Sequence, residues 1–232
     1  MRFQDAAKDA RAVVYAGIQS DPLVSRAATL LEEATTAERL LARAAMNGER
    51  TDPETWRRIF PTLFGEGAPE GLRGHAEQVL AASLEVAERG EAARSQYRGA
   101  VVEELTARLL ARRGSSETSD APIRRERRVL FDGVRAEIHP YDVTVESADH
   151  PEVYDCKWGA RGINADVLNQ LDDARAHAAD EDVRLHVAIV VFDARPSCEL
   201  RLDRSTANHD GTDLVALESL DALSGGPIRA TS

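Results

Sequence analysis

The chain is short of cysteine, lysine, aromatic residues and long apolar runs, and each shortage excludes something. The two cysteines, Cys156 and Cys198, are too few for a disulfide framework, and no Cys/His group has zinc-site spacing. A reduced, cytoplasmic setting is therefore expected. No run of about 18 apolar residues occurs, so neither a membrane-spanning helix nor a membrane partner is expected. The N-terminal segment carries acids and lacks a compact apolar stretch before a small-residue cleavage site, which argues against a secretion signal. The formal net charge of −11 excludes a general basic coat for nucleic acid but not a local basic patch. The acid excess is uneven: residues 164–221 hold 13 acids against five arginines. Only two of the 29 basic residues are lysines, Lys8 and Lys157. A coding bias toward arginine explains the general pattern, and against it a lysine kept inside a strand hints that an amine is wanted there.

What is present describes a globular chain. Hydrophobic residues make up 43% and charged residues 30% of 232 positions, enough for one ordinary core and a smaller helical region. Apolar residues recur at helical spacing from Phe3 to Ile18. Asp21-Pro22 is an N-cap followed by proline at the first helical position, and predicts a helix through Leu30, Leu31, Leu40 and Leu41 to Asn47-Gly48. Thr51-Asp52-Pro53 opens a third helix, which Pro61 bends or ends. After a break over Gly65–Gly74, helix resumes at His75 and runs to Arg113, with a weak point at Gly90. Ser115–Pro122 is a polar loop. Arg128–Phe131, Glu137–Glu146 and Val153–Trp158 then carry strand patterns. Asn164–Ala179 is helical, Leu185–Phe192 reads as a strand buried on both faces, Glu199–Leu202 as an edge strand, and Ser224–Ser232 as a frayed tail. The expected architecture is mixed α/β. An all-helical N-terminal domain, 1–90, would serve assembly, sensing or partner binding. An αβββαβ domain would follow over 91–223, then a tail over 224–232.

In Tyr141-Asp142-Val143-Thr144-Val145, strand alternation puts Tyr141, Val143 and Val145 on one face and Asp142, Thr144 and Glu146 on the other. In Val153–Trp158 the core side takes Tyr154, Cys156 and Trp158, leaving Asp155 and Lys157 together. A hairpin closed at Ser147–Pro151 pairs residues whose numbers sum to about 297, which sets Asp142 opposite Asp155. Facing carboxylates about 5 Å apart repel unless a cation lies between them. Carboxylate oxygens suit Mg²⁺, and such a site with a neighbouring lysine is chemistry for phosphodiester hydrolysis.

These residues resemble the PD-(D/E)XK nuclease superfamily, the restriction-endonuclease-like fold, over about 95–202. Asp155-Cys156-Lys157 matches the acid-x-Lys tripeptide and Asp142 the preceding acid, with Tyr141 where the family places proline. Gly99, Glu103, Leu105, Leu109 and Leu110 match its helical glutamate pattern, and Gln170 its glutamine on the helix after the third strand. The resemblance implies a metal-dependent nuclease, a DNA endonuclease of a bacterial defence or restriction system acting as a homo-oligomer. Asp142, Asp155, Glu103 and the Cys156 carbonyl would bind Mg²⁺, for which Mn²⁺ substitutes. Lys157 would position or activate water, and Gln170 would complete the catalytic set. Arg124, Arg125, Arg127, Arg128 and Arg161 would line the nucleic-acid path. Other readings stand beside these: a solvated salt-bridged strand face for the acids and Lys157, a charge-blunted edge strand for the arginines, and a non-catalytic or partner-dependent subunit for the whole chain.

Overall fold

The computed structural model describes residues 1–6, 10–48, 52–114, 121–135 and 139–225. Parts of five expectations lie outside these residues: residues 7–9 of the helix read from Phe3, Thr51 at the opening of the third helix, most of the polar loop, the start of the strand from Glu137, and the tail beyond Gly225. Two compact units divide the chain, Asp9–Leu105 and Met1–Lys8 with Thr106–Ser232. The sequence had suggested a boundary near residue 90 and no contribution of the N-terminus to the second unit.

The helical unit holds α1 (Ala10–Gln19), α2 (Pro22–Glu32), α3 (Thr36–Asn47), α4 (Pro53–Ile59), α5 (Pro61–Phe64), α6 (Glu70–Ala87) and the start of α7 (Glu91–Gly114). Asp21 and Asp52 cap α2 and α4 with proline just inside, as expected. The single helix expected from Asp21 to Asn47 is two. Thr35 Oγ1 accepts from Glu38 N–H while Glu38 accepts from Thr35 N–H, a capping box that starts α3 afresh. Gly90, at φ +77, separates α6 from α7. Leu41, Ala45, Trp56, Leu63, Leu80 and Leu84 pack together as a core of this unit.

The second unit is a mixed sheet. Its strands are β1 (Arg2–Asp5), β2 (Ile123–Phe131), β3 (Val134–Arg135), β4 (Tyr141–Val145), β5 (Glu152–Lys157), β6 (His186–Val191) and β7 (Asp213–Ala216). The spatial order is β1-β2-β4-β5-β6-β7, with β3 paired to β2. Pairing is antiparallel from β1 to β5 and parallel from β5 to β7. Helix α8 (Ala165–Asp180), capped by Asn164, lies between β5 and β6 in the chain, and α9 (Arg195–Asp203) between β6 and β7.

Two expectations are corrected. Phe3 is not in a helix: β1 pairs Phe3 with Val129, and Phe3 packs against the core of the sheet unit. Glu199–Leu202 is not an edge strand but part of α9. Pro196 lies in the first turn of that helix, which buries Cys198, while β7, 213–216, takes the place beside β6.

The core shows why β5 and β6 are apolar. Val153, Val187, Ile189 and Val191 meet Leu168, Leu171, Ala174 and Ala178 of α8. Cys156, on the other face of β5, reaches Thr106 Oγ1 of α7 at 3.5 Å. Both faces of β5 are covered, so the acids on it are not on a solvated surface.

Candidate functional site

The hairpin of β4 and β5 has the expected register. Val143 pairs with Tyr154, Thr144 with Val153 and Val145 with Glu152, each pair summing to 297. The next pair on that register is Asp142 and Asp155. The regular ladder stops before it, because the Asp142 carboxylate accepts the Cys156 N–H, with Oδ2···N 2.5 Å. Alternation also breaks here. Tyr141 joins the α8 cluster beside Val153, although strict alternation groups it with Cys156. Opposite this break, Glu126 on β2 has φ +53, between the regular pairs Arg125–Val143 and Arg127–Tyr141. A non-glycine residue in that conformation is costly and persists only where its surroundings demand it.

Asp155 is 7% exposed at the end of β5. Lys157 Nζ contacts the Asp155 carboxylate and lies 3.9 Å from Asp142 Oδ2. One ammonium thus serves two carboxylates. Burial raises the Asp155 pKa, and Lys157, with a smaller effect from His139, offsets part of the rise. Burial pulls Lys157 down, but Asp155 and Asp142 outweigh it and hold the ammonium above its usual range. Glu126 brings a further carboxylate oxygen within 4.8 Å of one from Asp142.

Neighbouring chain fixes this arrangement. Gly162 packs against the Lys157 stem: a Cβ there would fall 2.8 Å from Lys157 Cγ and Cδ. Asp193, beyond the end of β6, accepts the Ala160 N–H at 3.0 Å and so anchors the turn carrying Gly162. Gln170 is buried and works on backbone. Its Oε1 accepts His139 N–H at 3.2 Å and its Nε2 donates to His139 O at 3.1 Å, while Tyr141 Oη donates to Gln170 O at 3.3 Å. Gln170 therefore clamps the entry to β4, two residues before Tyr141.

The remaining expected residues are placed as follows. Glu103 is buried on α7 in the helical unit, where its carboxylate accepts from Tyr15 Oη at 2.5 Å and Gln19 Nε2 at 2.7 Å. Arg127 is held by Glu146 at 2.5 Å and by Asp5. Arg124 and Arg161 are exposed, and Arg125 and Arg128 half-buried. Arg113, just upstream, is held by buried Glu152 at 2.6 Å. Sequence reasoning missed Glu126, Gly162 and Asp193. Glu126 was hidden inside a run read for its arginines, and the other two gain meaning only from contacts across the fold.

Asp142, Asp155 and Glu126 are hard oxygen donors in a part-buried site with more acid than base, the donor chemistry that fits Mg²⁺ or Mn²⁺.

No family model and no curated protein matches the chain. Among solved structures, it is similar to protein VC1899 from Vibrio cholerae, with a TM-score of 0.51 and 17% identity. That match covers 89% of this chain and 56% of the other, so the chain spans little more than half of that protein's length. At this identity the likeness concerns the fold, which is mixed α/β.

Proposed function

We propose that the sheet unit is a metal-dependent nuclease of the PD-(D/E)XK type that hydrolyses phosphodiester bonds, cutting DNA in a bacterial defence or restriction system. One observation carries this reading: Asp142 and Asp155 fall at facing positions just beyond the β4–β5 ladder and share the single ammonium of Lys157. Asp142, Asp155 and Glu126 would hold Mg²⁺, with Glu103 the further ligand that the resemblance implies. The bound ion would polarise the scissile phosphodiester and lower the pKa of an attacking water. The chain's own residues orient and neutralise. Asp142 is held in place by the Cys156 N–H. Lys157, kept cationic by its carboxylates, would stabilise charge developing on the phosphate oxygens and orient water. Gln170 holds the entry to β4, and with it Asp142, in position.

A partner-dependent subunit is the second reading. Arg127 and Arg113 already bind internal carboxylates, which leaves fewer cations for a phosphate backbone. Cleavage of supercoiled plasmid and single-stranded DNA with Mg²⁺, Mn²⁺ or EDTA tests the proposal, with wild type beside Lys157→Ala. Metal-dependent cutting that falls about a thousandfold in the variant supports it. No cutting, together with no Mn²⁺ binding by calorimetry, overturns it, whereas Mn²⁺ binding without cutting favours the partner-dependent subunit.

A further inference from the structure

A few residues beyond Lys157 in the chain, a second polar feature begins that the hydrolytic site does not use. A cavity of about 210 Å³ opens where α9 meets the start of α8, with Asn164, Arg201, Arg204, Ser205 and Thr206 among its lining residues. It adjoins the carboxylate site through the chain. Ile163, also in its wall, directly follows Gly162, which packs on the Lys157 stem.

The lining is cationic and rich in donors. Arg201 Nε donates to Ile163 O at 2.9 Å, which fixes the guanidinium at the cavity wall. The Arg204 side chain makes no hydrogen bond or ion pair among the described residues. Ser205 Oγ accepts the Ala207 N–H, so its own proton remains available to donate. No carboxylate lines the cavity among the described residues. In a chain of net charge −11, two arginines meeting in one cavity without a lining acid is unexpected for a solvated surface. The first turn of α8 brings the positive end of a 16-residue helix, offset in part by Asp166 in that turn. Paired guanidiniums with hydroxyl donors match the tetrahedral oxygens of phosphate.

We propose that this cavity binds a phosphate group. Resting on the nuclease reading, the occupant is a backbone phosphate of the substrate strand, next along from the one attacked beside Lys157. Arg204 grips it directly, and Arg201 both grips it and braces the turn that positions Lys157.

The test uses the full chain in EDTA, so that binding is read without cleavage. The probes are a short fluorescein-labelled single-stranded DNA and inorganic phosphate as competitor. Arg204→Gln is expected to weaken DNA binding about five- to tenfold and to flatten the log-affinity against log-salt slope by about one, and Arg204→Lys to restore most of it. Phosphate should compete more strongly against wild type than against Arg204→Gln. Equal affinities and slopes in the variants, or no binding of either probe by wild type, would overturn the proposal. Phosphate binding that depends on Arg204 while DNA affinity stays unchanged would overturn the strand assignment and leave a site for a free phosphoryl ligand. Arg204-dependent DNA binding by a chain that cuts no plasmid in Mg²⁺ would remove the hydrolytic reading and uphold the cavity.

Discussion

The two ends of β5 both bury charge, in opposite ways. At its start, the Glu152 carboxylate takes Arg113 at 2.6 Å on one oxygen and the Tyr154 hydroxyl on the other. Its His186 neighbour is held below its usual pKa by burial, and the Tyr154 hydroxyl well above its own. The Glu152 carboxylate is matched by one guanidinium, and His186 faces Asp213 at 3.6 Å. At the other end two carboxylates, Asp142 and Asp155, share one ammonium, and Glu126 brings a third acid close. A balanced buried pair is architecture. An excess of acid in a part-buried site is tolerated for a reason, and binding a cation is the simplest one.

This contrast can be broken by experiment. Arg113→Ala strands the buried Glu152 carboxylate and should cost roughly 3 kcal/mol by denaturant unfolding. Asp155→Asn leaves Lys157 beside Asp142 and should change stability by only about 1 kcal/mol in either direction. If Asp155→Asn proves the costlier substitution, the acid-rich end is the structural one and the comparison fails.

The pH dependence sharpens it further. Asp155 has a raised pKa in the folded chain, so folding favours its protonated form. Its contribution to stability therefore falls as pH rises from the ordinary carboxyl value of 3.8 through the raised value. On the nuclease reading, a divalent cation would compete with that proton. Stabilisation by Mn²⁺, followed as a thermal shift, should grow across this window and lose that pH dependence in Asp155→Asn. A wild-type shift that is flat with pH would place the metal elsewhere.

The smallest effect concerns the helical unit, where stability is local. Thr35→Ala removes half of the capping box at α3 and should cost about 1 kcal/mol by denaturant unfolding. Cleavage by that variant, assayed below its unfolding transition, should equal wild type.

The legible parts of this protein share a short range. Asp-Pro caps at residues 21 and 52 act within one helical turn. The β4–β5 hairpin is closed by a short connection, so its register followed from counting, and Asp142, Asp155 and Lys157 came together as counted. The Thr35/Glu38 capping box was equally local and was overlooked because apolar spacing runs straight through it. Glu199–Leu202 misled for another reason: four residues cannot distinguish strand from helix, and Pro196 upstream decided for helix.

Other features had no local signature. Phe3 becomes a strand residue only because Val129, far along the chain, offers an edge to pair with. Gln170 could be suspected of chemistry, but its grip on the His139 backbone depends on how α8 lies across the sheet. Glu126 gains a role from a positive φ that its own sequence, between arginines, does not demand. Residue type and alternation within a hairpin settled which acids and which lysine meet, because backbone geometry repeats over a few residues. Burial of Asp155, the contact of Gly162 with Lys157 and the joining of Arg201 and Arg204 to the start of α8 came from packing between distant segments. Local spacing carries no information about which distant segments will meet.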